Sequence, residues 1–433
     1  MSRCWCWLAV CWVLLAAWAP GAPEATPAET APDALQISPS TKATLDPQAG
    51  FLLGIEREER EDFANLRRRR LTLFVNAASV DSRGRHTVEI LDRNVMLSLA
   101  TVVVVEDEET SPTPALQAVF RADRRYRLFR VTRDTFRSTN EIVSDSDAVV
   151  WDIPLAGTTN SLEASVLGVA LEKASLQGLR FIVLDRPSLM RTDYVDGPLS
   201  DLAQAGTVDG FLPLPLVVGG TSAELARIFS DVYGIQADLT IQPMSNWRRA
   251  DGNSWLWKDR WVLSDENQRR LEELRGWQGF QQGWPELASL RRLVGDGLFS
   301  SSTIRVAGTR AELLLVPREV PALSVQERLG TVKLDGLEFA LEPMADGNGG
   351  LLIRVEPDVA VPLVEWSLAI RRASAAKPRQ FPADSEGLGY KNASLLQSLG
   401  RGLEPTQIRR RWSAAPDYLA FQKSREKVLI YEP

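Results

Sequence analysis

The residues able to do chemistry gather between Arg180 and Arg249. An apolar run there ends in Leu184-Asp185-Arg186-Pro187, and a later loop carries Val195-Asp196-Gly197-Pro198. Gly219-Gly220-Thr221 leads into Ser222-Ala223-Glu224, and a second apolar run closes on Met244 and Trp247-Arg248-Arg249. Carboxylates move protons, arginine grips carboxylates with a two-pronged donor pattern, and tryptophan offers a flat apolar face to a sugar ring. Thr221 and Glu224 form the T-x-x-E capping pattern, so a helix over 222–232 is expected to start there. A plain capped helix is the first expectation; if a ligand function persists, its first amides, near Asp152, are expected to hold a carboxylate or sulfate weakly.

Other chemistries are excluded by scarcity. The chain has one histidine and three cysteines in 433 residues. Cys4, Cys6 and Cys11 all fall in the apolar N-terminal run 4–18. Once that run is removed, no disulfide, thiol nucleophile or Cys-zinc site remains. His86, in Gly84-Arg85-His86-Thr87, reads as a solvated side chain in a surface turn at a helix entrance. No cofactor and no metal are expected. Lys and Arg total 50 against 56 Asp and Glu, a net charge of −6 with no long basic stripe. Nucleic acid is therefore not an expected partner. Arg67-Arg68-Arg69-Arg70 reads as the solvated flank of a strand.

The elements that must position these residues follow from the apolar pattern. Residues 1–21 read as a signal peptide, with an uncleaved anchor as the rival. Residues 22–50, rich in Ala, Pro, Thr and Glu, read as a disordered linker. Export to a periplasmic or extracellular space is expected, with no stable membrane span after cleavage. Continuous apolar strands are expected at 71–75, 100–105, 147–153 and 179–184, and helices at 87–97 and 162–177. Buried strands separated by helices imply an α/β fold: a Rossmann-like doubly wound parallel sheet over 51–233. A smaller C-terminal α/β domain is expected over 234–433, with strands at 238–242, 303–306 and 351–355. In such sheets ligands bind beyond the carboxyl ends of the strands.

In this order the motifs resemble the bacterial exo-β-N-acetylmuramidases, glycoside hydrolases that remove terminal N-acetylmuramic acid from peptidoglycan fragments. The resemblance runs from Leu66 to Tyr431 and is carried by Leu184-Asp185-Arg186-Pro187, Asp196-Gly197-Pro198, Gly219, Thr221 and Trp247. It places Asp107, in Glu106-Asp107-Glu108-Glu109, where the family has the Glu of S-P-E-H-G. It places Asp152 and Gly157 on the family's F-D-I-Q-D-V-G-x-R-x-Y, whose Gln, second Asp, Arg and Tyr are absent here. Val217 and Val218 stand where the family has Arg and His, and Ser300 where it has Glu.

The resemblance thus implies Asp107 and Asp152 as catalytic candidates. It implies Asp185, Arg186, Asp196, Gly219, Thr221 and Trp247 as ligand-binding candidates. Asp185 and Arg186, a charged pair at a buried strand end, are expected to be more structural than catalytic. Because polar residues are lost from four loops together, the leading expectation is a degenerate member. It would bind a peptidoglycan-derived saccharide or a protein partner. An active glycosidase of altered specificity and a purely structural interaction protein are the alternatives. The tryptophan-rich stretch 247–284 reads either as a saccharide platform or as core.

Overall fold

The computed structural model describes residues 51–106, 116, 119–120, 122–138, 142–143, 145–249, 284–294, 298–307, 310–344, 349–356, 359–376 and 392–432. Runs of Val, Leu, Ile and Phe build the first sheet. Strand β1 (Arg70–Val75) is buried after its first residue. Strand β2 (Ser98–Val105) ends in a buried valine run. Then come β3 (Arg127–Val131), β4 (Ala148–Trp151) and β5 (Arg180–Leu184). After a two-strand ribbon, β6 (Asp196–Leu199) and β7 (Pro215–Val217), the sheet is completed by β8 (Asp238–Gln242). The order is β3-β2-β1-β4-β5-β8, and every pairing is parallel. This is the doubly wound pattern expected from the sequence. The chain reverses direction across the sheet between β1 and β4, which puts the switch point beyond their carboxyl ends.

Helices α1 (Gly54–Arg60), α2 (Thr87–Asp92) and α3 (Leu162–Leu176) flank this sheet. The helix expected over 87–97 stops early. Asn94 bends the chain there: its side-chain oxygen accepts from the Met96 amide at 2.9 Å, a local bond that competes with the helix. Val95 and Met96 are left exposed. Two strands differ from the sequence reading. Arg127–Val131, between the strands expected at 100–105 and 147–153 and not itself expected as one, is an edge strand. Asp238–Gln242, expected to open the second domain, is the opposite edge of the first sheet, paired with β5.

The smaller C-terminal layer begins after the capped turn α4 (Ser222–Arg227), which runs on into a π-helical turn at Ile228–Val232. Helix α5 (Trp284–Val294) leads into β9 (Phe299–Ala307) and β10 (Arg310–Pro317). Helix α6 (Ala322–Leu329), β11 (Leu337–Pro343), β12 (Gly349–Val355) and α7 (Leu363–Ser374) follow. The four strands form an antiparallel sheet in the order β11-β12-β10-β9. Leu287, Val325, Val364 and Ile370 cover it, and Met190, Leu216 and Val217 of the first layer join the same core. The ribbon therefore links the two layers. Helices α8 (Ala393–Gly400), α9 (Pro405–Ser413) and α10 (Pro416–Val428) end the chain, and Ile430 and Tyr431 return to the first core. Among the described residues, no helix is long and apolar enough to cross a membrane.

Helix α1 sits unusually close to the ends of β5 and β8. The Gly54 amide donates to the Asp185 carbonyl at 2.9 Å. A Cβ at Gly54 would lie 2.4 Å from the Asp185 nitrogen and 2.7 Å from the Gln242 oxygen, both backbone atoms. Backbone cannot swing aside as a side chain can. Gly54→Ala is expected to cost about 1–3 kcal/mol. Calorimetry checks this: an unshifted melting midpoint would show that α1 can lift off the sheet freely.

Candidate functional site

Asp152 follows β4 directly, at the switch point, and has no exposed surface. Arg186, two residues beyond β5, reaches it across the strand ends. Its Nε donates to Oδ1 at 2.5 Å and its Nη2 to Oδ2 at 2.8 Å. The Thr87 hydroxyl also donates to Oδ2. Arg186 spends its remaining donors on the Val80 carbonyl at 2.5 Å and Thr87 Oγ1 at 3.3 Å. Ser79 Oγ donates to the Asp152 carbonyl at 2.6 Å. Burial pushes the Asp152 carboxyl upward, and Arg186 and Thr87 oppose that shift. The pair is a fully buried, two-pronged salt bridge joining the loops after β1, β4 and β5.

His86 belongs to the same knot, which corrects the solvated reading. It is fully buried and caps α2, its Nδ1 accepting from the Val88 amide at 3.3 Å. Since Nδ1 accepts, the ring proton lies on Nε2, which donates to the Asn76 carbonyl at 3.0 Å. A neutral imidazole can satisfy both nitrogens in this way, so burial costs it little.

A second buried network surrounds Asp185. Its Oδ1 accepts from the Ala223 amide at 3.1 Å. Its Oδ2 accepts from the Thr221 hydroxyl at 2.8 Å and from the Tyr431 hydroxyl at 2.5 Å. The place expected for an external anion at the start of α4 is thus taken by the protein's own carboxylate. Thr221 Oγ1 meanwhile accepts from the Glu224 amide, and Glu224 Oε2 accepts from the Thr221 amide at 3.1 Å, which completes the expected capping box. Glu224 Oε1 accepts from Arg249 and from the Ile430 amide, the latter at 2.8 Å. The Gly219 carbonyl accepts from Arg249 and Arg425. A Cβ on Gly219, whose φ is 60°, would lie 2.2 Å from the Tyr194 oxygen. Burial lowers Arg425 to about 10, with the charge of Arg249 adding to the effect.

The other expected residues are spread more widely. Asp196 bridges the layers: its Oδ2 accepts from the Val364 amide at 3.0 Å at the start of α7, and its Oδ1 from Gly197 at 2.9 Å. Burial raises its carboxyl to about 6. Trp247 is buried, its ring edge-on to Tyr431 at 4.8 Å between centroids. Its face therefore belongs to the core and is not presented to a sugar. Asp107 lies outside the described residues, as do Trp255, Trp257, Trp261 and Trp277. Sequence reasoning missed Glu224, Arg249, Arg425 and Tyr431 as partners in one network. The available signal was the apolar C-terminal run Val428-Leu429-Ile430-Tyr431 after a charged helix. Among the described residues, no group of three or more His, Cys, Asp or Glu side chains is arranged to hold a metal ion.

Comparison with known proteins agrees with this fold. Residues 71–270 match the family described as the N-terminal part of exo-beta-N-acetylmuramidase NamZ. The chain carries a NamZ-type domain. The matched stretch of that domain takes in every strand of the six-stranded sheet from Leu71 to Gln242. The peptidoglycan beta-N-acetylmuramidase NamZ of Bacillus subtilis (strain 168) is 28% identical over 222 residues. That match spans 50% of this chain and 53% of the relative, about half the length of each. A DUF1343 family protein of Bacteroides fragilis NCTC 9343, solved by crystallography, has a TM-score of 0.62 at 18% identity. It is covered over 100% of its length and covers 89% of this chain. A second such protein from the same organism gives 0.52 at 15% identity, with 99% and 89% covered. These two neighbours share the fold of both layers.

Two measurements follow. Arg186→Ala leaves the Asp152 carboxylate buried without a counter-charge, an expected loss of about 3–5 kcal/mol. The paired replacement Asp152→Leu with Arg186→Met is expected to recover most of it in chemical denaturation. An Arg186→Ala protein as stable as wild type would mean that water or another cation reaches Asp152.

The second concerns pH. Burial raises Asp185 to about 7 and the charge of Glu224 adds to this, against the hydrogen bonds from Tyr431, Thr221 and Ala223. In an unfolded chain the same group titrates at about 3.9. The folded state thus holds a proton that the unfolded state releases. This contribution is complete below about pH 4 and is lost as pH rises through about 7. Between pH 5 and 8 the melting midpoint of wild type is expected to fall more than that of Asp185→Asn. Parallel curves for the two proteins would remove Asp185 as the titrating group.

Proposed function

We propose that the chain is an exported NamZ-type protein of the cell wall that binds a peptidoglycan-derived saccharide and has lost the glycosidase chemistry. One observation carries the reading. Asp152, the carboxylate at the switch point, commits both oxygens to Arg186 and Thr87 and has no exposed surface. Glycoside cleavage by paired carboxyl groups needs both within reach of the scissile bond. A carboxylate closed off in a salt bridge serves as a clamp between loops.

The apolar character of the neighbouring loops supports the same reading. Leu155, Val217 and Val218 are buried at 1%, 0% and 0% exposure, so they add packing where a polar sugar pocket needs donors and acceptors. The likeness to the Bacillus subtilis peptidoglycan beta-N-acetylmuramidase supports a muramyl saccharide as the ligand. Export rests on the N-terminal pattern: one arginine, an apolar run and small residues at Ala19-Pro20-Gly21.

The test is release of N-acetylmuramic acid from a chromogenic muraminide by the purified protein. No turnover is expected, with saccharide binding retained in calorimetric titration. Turnover that disappears in Asp107→Asn would overturn the reading and establish an active glycosidase with its acid on the loop after β2.

A further inference from the structure

Helices α1 and α2 lie on one face of the parallel sheet, where Ile55 of the first shares a core with Val88, Ile90 and Leu91 of the second. A groove of about 370 Å³ remains between them, lined in part by Glu59, Phe63, Arg85, Ile90, Arg93 and Val95. Phe63 and Ile90, both buried, give it an apolar floor. Its charges come in opposite pairs. Arg85 meets Glu59 at 2.7 Å, and Arg93 meets Glu89 at 2.7 Å. Neither Glu59 nor Arg93 is sealed by its pairing, and the Arg93 side chain keeps 68% of its surface in water.

Beside this groove stands a knob. The turn that ends α2 carries Val95 and Met96 at 96% and 60% exposure. Three bonds hold the turn in shape. The Asn94 amide donates to the Leu91 carbonyl at 3.2 Å, and the Leu97 amide to the Asn94 carbonyl at 3.1 Å. The Met96 amide donates to the Asn94 side chain at 2.9 Å. The groove wall is fixed as well: the Phe63 amide donates to the Glu58 carbonyl at 2.7 Å and holds Phe63 at φ 56°. Two adjacent apolar side chains held in water at the rim of a cavity mark a surface that a partner covers. Knob and groove are both preformed, so covering them costs little ordering.

The charges select the partner. Two arginines and two glutamates cancel, so the groove is matched to neither a polyanion nor a polycation. In a two-fold dimer one patch faces its own copy, and each contact occurs twice. Such a patch must complement itself in shape and in charge. This one has a knob and a hole side by side and both signs of charge. We propose that two copies of this chain pair across this face. Val95 and Met96 of each copy enter the groove of the other, and each Arg93 reaches the partner's Glu59. The groove follows α2 from Glu89 onward, whereas Asp152 meets Thr87 at the helix start. Pairing here makes no call on the Asp152 network or on a saccharide ligand.

The experiment is sedimentation velocity of the full chain from about 1 to 100 μM, with circular dichroism on each variant. Wild type is expected to pass from monomer to dimer in this range. The double variant Val95→Asp with Met96→Asp is expected to weaken association at least about tenfold with an unchanged spectrum, since both side chains are exposed in the monomer. Arg93→Glu, which sets like charges against each other, is expected to weaken it about three- to tenfold at low salt and less at high salt. Leu202→Asp, at an exposed position outside the groove, is expected to dimerise as wild type does. A wild-type chain that stays monomeric at about 100 μM overturns the inference, whatever other molecule the groove then takes. Undiminished association in the double variant overturns it too, because the contact then lies elsewhere. Should the double variant lose its fold, Arg93→Glu decides: association equal to wild type at low salt removes this face as the interface.

Discussion

The buried pair of Arg186 and Asp152 is the constraint on which the carboxyl edge of the sheet depends. Two charges withdrawn from water cost several kcal/mol each unless geometry and extra hydrogen bonds offset the loss. Here the offset comes from three loops at once. Val80 must turn its carbonyl toward Nη1, and Thr87 must place a hydroxyl between the two ions. Thr87 is also the first residue of α2, so its position fixes where that helix starts. His86 is drawn inside as the cap, and Asn76 supplies the carbonyl that meets its second nitrogen. In many doubly wound sheets the switch point receives a ligand. In this protein it receives an internal salt bridge.

The neighbouring strand repeats the problem with a different answer. Asp152 directly follows β4 and Asp185 directly follows β5, and both carboxylates are sealed from solvent. Asp185 has no arginine of its own. It takes the amide and hydroxyl donors of the α4 start, and a tyrosine from the far end of the chain. The charges of Arg249 and Arg425 go instead to Glu224 and to backbone carbonyls. The last residues of the chain thereby become part of the first core: the Ile430 amide meets Glu224, and the Tyr431 carbonyl accepts from Arg249 at 3.2 Å. The carboxyl edge is held by sequence ends that propensity alone would leave free.

Legibility in the sequence followed the range of the forces involved. β1, β2, β4 and β5 are apolar on both faces, and a continuous apolar run reports that directly. The capping box at Thr221 and Glu224 is equally local and was readable. The edge strands were not. Arg127–Val131 and Asp238–Gln242 are buried only at their last residue, so their pattern carries half the signal of a central strand. The site was least readable of all. Asp185 and Tyr431 are 246 positions apart, and no local rule links them. His86 read as solvated because its partners, the Val88 amide and the Asn76 carbonyl, are backbone groups that sequence does not display.

The two valines at the ribbon show how the two layers are joined. Val217 packs in the core of the C-terminal layer and Val218 in the core of the first sheet. Adjacent residues therefore stitch the two layers together by apolar contact, where the family resemblance implies an arginine and a histidine. Returning a charge to either position would place it in a dry core with no partner built for it. Polar function can persist only where burial is incomplete or where partners remain unmet. The apolar seam between the layers and the sealing of the carboxyl edge are thus consequences of one packing arrangement.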